Sequence, residues 1–364
     1  RVINNVVTQL VVAAAFDTSV AEWLRASTDP TVVGEYVDDT WTVAMQVIIT
    51  LIGLLALLVL ADRSELRDGA FAAQPSDRPG SGEEALSLAK NYQRSDFFPL
   101  VLFSIGGMML FPATDSLLTM FVALEVMSLP LYILVASARR RRDLSQEAAI
   151  KYFILGSFAS AFFLMGSALL YGFSGGSLRL GAIAAAVPTV AGMDMILLIG
   201  VFMVMVGLLF KVAAFPFHEW TPDVYTGAPT PVTGFMAAGV KVAAFGALVR
   251  FYFSVAGHLK WDFALVFAVL AAATVIFGTF GGLVQKNIKR LLAYSSVAHA
   301  GFVLIGVLAL VQGSAGAVAF YLLTYGIATV GAFGIVGLER VKTAEGAIGG
   351  EANQVSHWAG HGKR

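Results

Sequence analysis

Residues 205–250 read MVGLLFKVAAFPFHEWTPDVYTGAPTPVTGFMAAGVKVAAFGALVR, and the reading of this stretch decides the fold. It contains two apolar runs, each with a lysine well inside it, Lys211 and Lys241. Between them lies a polar connector with His218, Glu219 and Asp223, punctuated by Pro216, Pro222, Pro229 and Pro231. An ammonium group in the middle of an apolar membrane helix costs roughly 2.5–3.5 kcal/mol on insertion scales. A chain that accepts this cost twice in so short a distance uses the charge, and the use expected of such lysines is moving protons.

The composition agrees with membrane insertion. The chain has 364 residues, 57% hydrophobic and only 13% charged, with a mean hydropathy of +0.77. A soluble domain has about 25% charged residues, so a polytopic membrane protein is expected. The formal net charge is zero, which argues against a nucleic-acid partner. Cysteine is absent, so iron–sulfur ligation, thiolate metal sites and disulfides are excluded. No two of the five histidines lie at matching depths in two apolar segments, as a bis-histidine haem would need. No cofactor or metal bound by this chain is expected. It begins at Arg1 without an initiator methionine or a signal-peptide pattern, which suggests a piece of a longer chain.

Working outward, the sequence predicts an all-α bundle of nine spans. They are Trp41–Ala61, Phe97–Phe111, Leu117–Ser137, Glu147–Gly172, Met193–Phe217, Pro231–Phe253, Asp262–Val284, Ile288–Val311 and Gly316–Leu338. Val6–Phe16 is too short to cross a ~30 Å hydrocarbon core and reads as the remnant of a longer helix. Asp62–Asp96 reads as an exposed loop, and residues 339–364 as a polar, glycine-rich tail. If the Arg139–Arg142 loop is cytoplasmic, alternation puts Arg63, Arg67, Lys90, Arg94, Lys286, Lys289, Arg290, Arg340 and Lys342 on that side. The opposite loops carry little beyond Arg179 and Lys260, so the positive-inside bias supports this orientation.

Four ionisable residues fall in spans: Glu125 and Lys241 near their centres, Lys211 towards one end, and Lys151 in the first turns of its helix. Lys151 is close enough to the interface to snorkel, and packing explains it as well as relay chemistry does. For the other three, the alternative to proton transfer is a structural ion pair. Desolvation makes a buried amine able to release its proton near neutral pH, and a nearby carboxylate reverses this. At about 4 Å and an effective dielectric of ~20 that attraction is on the order of 4 kcal/mol, so a Glu125–Lys211 pair could act as a switch. Pro130 and Pro216 each follow an ionisable residue by five positions and remove the bond to the carbonyl four residues back, at Val126 and Val212. Freed carbonyls of this kind are tolerated in membranes where they line protein or a wet cavity. The further relay candidates are His218, beside the break, and His299 with Tyr294, Ser295 and Ser296; hydrogen bonding between helices explains these equally well. The pentapeptide KVAAF occurs at both Lys211–Phe215 and Lys241–Phe245 and reads as coincidence.

Four segments carry a family resemblance: Phe210–Arg250, KNIKRLLAYSSVAHAGF at Lys286–Phe302, ALEVMSLPLYIL at Ala123–Leu134 and EAAIKYFILGSFASAFF at Glu147–Phe163. Through them the chain resembles the antiporter-like subunit N of proton-pumping NADH–quinone oxidoreductase (respiratory complex I), from about residue 97 to 338. The resemblance implies that Glu125 and Lys211 form a central pair, that Lys241 is the connecting lysine, and that the helix near Pro216 is discontinuous. It implies an inverted-repeat bundle, with a first five-helix repeat over 97–253 and three helices of a second over 262–338, the second being incomplete. Residues 1–96 would be an N-terminal remnant with one transmembrane helix and a cytoplasmic loop. The implied setting is the bacterial inner (plasma) membrane, in a hetero-oligomer with other membrane-arm subunits and lipids. NADH, flavin, iron–sulfur clusters and quinone would be used elsewhere in that complex, leaving this chain a proton translocase without a redox site. A subunit of a multi-component sodium/proton antiporter and a structural scaffold are the competing readings.

Overall fold

The structure is a computed structural model and describes residues 31–61, 81–90, 97–138, 141–190, 192–309, 314–342 and 348–360. The Val6–Phe16 run, Arg139, Arg140 and most of the 62–96 loop lie outside the described residues. A short hairpin, β1 (Thr31–Val33) and β2 (Tyr36–Asp38), leads into α1 (Thr40–Ala61). Asp39 is the N-cap of α1: its Oδ1 accepts from the amide of Thr42 at 2.7 Å, satisfying one of the unpaired donors of the first turn. The 62–96 stretch is not loop throughout, because Gly82–Ala89 forms α2 with Glu83 and Glu84 in its first turn. Acidic residues at a helix N-terminus favour such a short helix.

Next come α3 (Phe97–Leu110), continued by a 3₁₀ turn at Phe111–Ala113, then α4 (Leu117–Val135) and α5 (Arg142–Phe173). α4 stays helical through Pro130. The hydroxyl of Ser128 donates to the carbonyl of Leu124 on the turn below that proline, a local adjustment of the kind that keeps proline in membrane helices. α5 starts five residues earlier than the polar segment RDLSQ suggested. Its 32 residues span roughly 48 Å at 1.5 Å each, more than a bilayer core, so its first turns project beyond the apolar layer. A short helix α6 (Leu180–Ala186), not anticipated from the sequence, precedes α7 (Asp194–Val212).

The central feature lies just after α7. A non-helical segment leads to α8 (Trp220–Gly227), then to α9 (Thr230–Phe235), a π-helical turn at Met236–Val240 and α10 (Lys241–Ser254). Thr230–Ser254 behaves as one span, and its most apolar window is buried along its whole length. The other elements are arranged around it: α11 (Lys260–Leu283), α12 (Ile288–Ala309) and α13 (Ser314–Leu338). Among the described residues, eight helices are long and apolar enough to cross a membrane, with Phe97–Ala113 as a shorter apolar segment. Neighbouring helices approach closely where side chains are absent. A Cβ on Gly166 of α5 would lie 2.6 Å from the carbonyl oxygen of Gly200 on α7, so this crossing requires glycine.

Two expectations need correction. Residues 339–364 are not merely a polar tail: β3 (Arg340–Lys342) and β4 (Ile348–Glu351) pair antiparallel, and a 3₁₀ turn is formed at Val355–Trp358. This hairpin is fastened to the start of α12, with the amide of Ile288 bonded to Asn353 O at 2.8 Å and that of Val355 to Lys286 O at 2.9 Å. Lys289, counted from the sequence as a loop charge, is 2% exposed. At the other end of the bundle, Arg250 of α10 holds both carboxylate oxygens of Asp39 at 2.8–2.9 Å, Thr42 Oγ1 at 2.7 Å and the carbonyl of Pro112.

Candidate functional site

Lys211 lies in the last turn of α7 and is 1% exposed. The helix ends one residue later, because Ala213 takes the left-handed conformation with φ 59°. The amide of Ala214 bonds to Leu209 O at 3.0 Å and that of Ala213 to Phe210 O at 3.1 Å, the paired bonds of a Schellman end. The helix thus ends before the proline, and Pro216 itself sits outside any helix. From α8, the indole of Trp220 donates to Phe210 O at 3.1 Å and stacks on Phe210 and Tyr152. The Phe215 amide donates to Thr274 Oγ1 of α11 at 3.0 Å, and its ring stacks on Phe277 at 4.2 Å. The break is therefore held from both sides.

The amine of Lys211 donates to Ser128 Oγ of α4 at 2.8 Å and lies over the rings of Tyr152 and Tyr132 at 5.5 and 5.8 Å. Cation–π contacts and the C-terminal end of the helix dipole both favour an ammonium here. Glu125 is half-buried on α4, where its Oε1 accepts from Ser160 Oγ of α5 at 2.5 Å. The carboxylate and amine are neighbours without forming a direct ion pair; each is held by a separate serine.

Lys241 is 2% exposed and comes directly after the π turn, a feature often found at functional positions. Its amine donates to the carbonyl of Ser296 on α12. The Ser296 hydroxyl shares a 2.6 Å hydrogen bond with Tyr325 of α13, whose ring lies 6.0 Å from the amine and whose hydroxyl donates to Ala237 O at 3.3 Å. His299 stands one turn further along α12, with Nδ1 2.7 Å from Tyr321 Oη and its ring 5.2 Å from that of Tyr325. No carboxylate takes part in these contacts.

His218, on the break, is buried, packs against Phe215 and Phe277, and lies within reach of the Lys241 charge. Its Nδ1 has no hydrogen-bond partner in the protein, nor do the hydroxyls of Tyr132, Tyr152 and Thr221. A buried polar atom left unpaired costs about 1–3 kcal/mol. Four of them around the break and the Lys211 pocket mark an interior suited to bound water.

Other sequence candidates fall elsewhere. Lys151 is 41% exposed and bonds Glu147 at 2.7 Å and Asp223 at 2.8 Å, while Arg290 takes the other Asp223 oxygen at 3.1 Å. This network ties α8 to α5 and α12 at the surface. Tyr294 is half-buried against Gly281 of α11, and Ser295 beside it is half-buried as well. Ser128, Ser160, Tyr152, Tyr321, Tyr325 and Lys289 were missed by sequence reasoning. The signal for Ser128 lay in helical spacing, since it stands three residues beyond Glu125 on α4, whereas Ser160 meets Glu125 from another helix. Among the described residues, no group of three or more histidine, aspartate or glutamate side chains could hold a metal ion.

A family model described as "NADH:quinone oxidoreductase/Mrp antiporter, TM" matches residues 114–347. The chain is 51% identical over 337 residues to NADH-quinone oxidoreductase subunit N of Beutenbergia cavernae, covering 92% of this chain and 63% of that protein. Among solved structures, respiratory complex I from Thermus thermophilus with bound aureothin contains a chain with 37% identity and a TM-score of 0.70, covering 92% of this chain and 64% of that one. The Mrp complex from Dietzia sp. DQ12-45-1b matches with 23% identity and a TM-score of 0.75 over 90% of this chain and 58% of that one, a likeness of fold. The chain thus spans less than two thirds of the length of these relatives. It is a multi-pass protein of the bacterial plasma membrane. The chain belongs to the NADH:quinone oxidoreductase/Mrp antiporter family of transmembrane subunits, on its NADH–quinone oxidoreductase subunit N branch.

Proposed function

We propose that this chain translocates protons as a membrane-arm subunit of NADH–quinone oxidoreductase, in a hetero-oligomer whose redox cofactors sit on partner subunits. The observation that carries this reading is the full burial of two lysines, one at a helix break and one after a π turn. Both amines are turned into the bundle, where each has a hydroxyl-bearing neighbour that can pass a proton on. Glu125, Lys211 and Lys241 are the relay groups, with His218, Ser296 and His299 bridging through water. Lys151 serves the surface network instead, and Tyr294 and Ser295 have no part in the route. Energy from quinone reduction elsewhere in the complex would change the field along the lysines, and each would then load and release a proton in turn. No protein group is oxidised or reduced in these steps.

Two further assignments accompany this reading. Residues 97–253 hold five apolar segments and form the first repeat, and 262–338 hold the first three of a second. The end of the bundle where Arg141, Asp223, Arg290 and Arg340 gather faces the cytoplasm, as the positive-inside bias favours. The test is Lys211→Ala and Glu125→Ala in the assembled enzyme, with assembly and proton pumping measured separately. Intact assembly with impaired pumping is expected. Assembly and pumping lost in proportion would make the lysine and carboxylate structural and overturn the reading.

A further inference from the structure

Lys289 is a third lysine buried within a span and has no part in the relay just described. Its amine donates to Ala228 O at 2.7 Å, in the joint between α8 and α9. Two residues on, Thr230 donates to Glu351 Oε2 at 2.8 Å, and the other oxygen of that carboxylate lies 4.0 Å from Arg340. Glu351 is 19% exposed, and its carboxylate is near enough for its charge to act on the buried amine. Lys289 and Ser296 are seven residues apart on α12, two turns along one face, or roughly 10 Å. Tyr225, at the joint, lies against Ser296 and Tyr325, the groups around Lys241. Hydroxyls and a carbonyl thus line the interval from Lys289 to Lys241.

We propose that Lys289 takes up protons at the end of the bundle covered by the β3–β4 hairpin and supplies them to Lys241, with Glu351 as its positioning counter-charge. This assignment rests on the proton-translocating function. A proton from bulk water adds to the neutral amine of Lys289. The ammonium then releases it through water beside Tyr225 and Ser296 to the neutral amine of Lys241, and Lys289 returns to the amine. The structural alternative is that Lys289 only caps the carbonyl at the end of α8. That role could be met by another cation, whereas proton release could not be met by a guanidinium, which stays protonated.

The experiment compares Lys289→Arg and Lys289→Met in the assembled oxidoreductase in sealed vesicles, measuring the amount of complex and the protons moved per NADH. Lys241→Met is run in parallel. Assembly with pumping reduced about fivefold or more in both Lys289 variants is expected. Pumping restored by arginine but not by methionine would make Lys289 a cap and overturn the proposal. If neither Lys289 variant assembles, Glu351→Gln decides, because the amide still accepts from Thr230. Pumping reduced roughly twofold or more in that variant supports the proposal, and normal pumping overturns it. If Lys241→Met loses pumping while Lys289→Arg keeps it, the uptake assignment falls and the pump reading stands. If both keep normal pumping, the pump reading falls as well.

Discussion

The pentapeptide KVAAF occurs twice, and the chain folds it in two ways. At Lys211–Phe215 the helix stops at Val212, Ala213 turns left-handed, and the chain leaves the axis. At Lys241–Phe245 the same letters open a helix that runs unbroken to Ser254. The neighbouring residues make the difference: Pro-Phe-His-Glu comes after the first copy and Gly-Ala-Leu-Val after the second. Proline disfavours helical conformation in the residue before it and clashes with the turn below. A short apolar motif therefore sets neither helix nor break on its own.

The two amines are accordingly held by different means. Lys211 has a helix end, three aromatic rings (Tyr132, Tyr152 and Phe210), the Ser128 hydroxyl and a carboxylate nearby. Lys241 lies inside a continuous span, without a helix terminus or a carboxylate, and relies on Ser296 O and the Tyr325 ring. Their helices are anchored differently as well. Trp220 and Thr274 secure the break, while Trp41 to Gly246 O at 3.0 Å and Asp39 to Arg250 tie α10 to the start of α1.

The largest expected effect separates the two sites most sharply. Lys241→Met and Lys241→Arg should both lower proton pumping by on the order of a hundredfold while the complex still assembles, because neither residue can cycle a proton there. Pumping retained in the arginine variant would reduce Lys241 to a structural cation. Second is the anchor of α10. Burial works against ionisation of Asp39, but the Arg250 bonds and charge, with the Thr42 bonds, outweigh it and hold the carboxyl below its ordinary range. Asp39→Asn should then cost roughly 2 kcal/mol in thermal unfolding at neutral pH. Because the folded value lies below the unfolded one, this stabilisation is full above about pH 4 and is lost as pH falls through the folded value. The gap between wild type and variant should close on acidification; a gap that widens would refute the assignment.

Smaller effects refine the contrast. Ser128→Ala removes the hydrogen bond to Lys211, about 1 kcal/mol, and should slow pumping roughly fivefold without affecting the Lys241 site. An effect as large as that of Lys241→Met would show the two sites to be one unit. The smallest effect lies in the backbone of the repeated motif. Ala243→Gly, within α10, should lower stability by about 1 kcal/mol. Ala213→Gly should be near neutral, since relief of the left-handed alanine offsets the added freedom of the unfolded chain. Equal losses at both positions would contradict the different roles of the two copies.

Much of this was legible in the sequence. The spans could be read from apolar runs, and the break was announced by Pro216 between two lysine-bearing segments. The boundaries were less so: the first turns of α5 are polar because they project beyond the apolar layer, and polarity alone reads as loop. Lys289 was misread because a lysine beside Arg290 at the start of a span looks like a topology anchor; in the fold its amine turns onto the α8–α9 joint and is buried. Tyr321 and Tyr325 were invisible for a related reason. An aromatic residue in an apolar helix reads as packing until the neighbouring helix brings a histidine and a serine to its hydroxyl. Long-range pairing of this kind leaves no mark in one sequence. Nor did the sequence reveal that Glu125 is held by Ser160 and Lys211 by Ser128, because the expected pair had the right residues in the right helices.

Proton transfer between Lys211 and Lys241 requires that both open onto one hydrated interior. The most direct test is ordered-water density in a high-resolution cryo-electron-microscopy map of the assembled complex. Waters bonded to His218 Nδ1 and the hydroxyls of Tyr132, Tyr152 and Thr221, continuing to both amines, are the predicted result. A dry, closely packed barrier between the two lysines would contradict it.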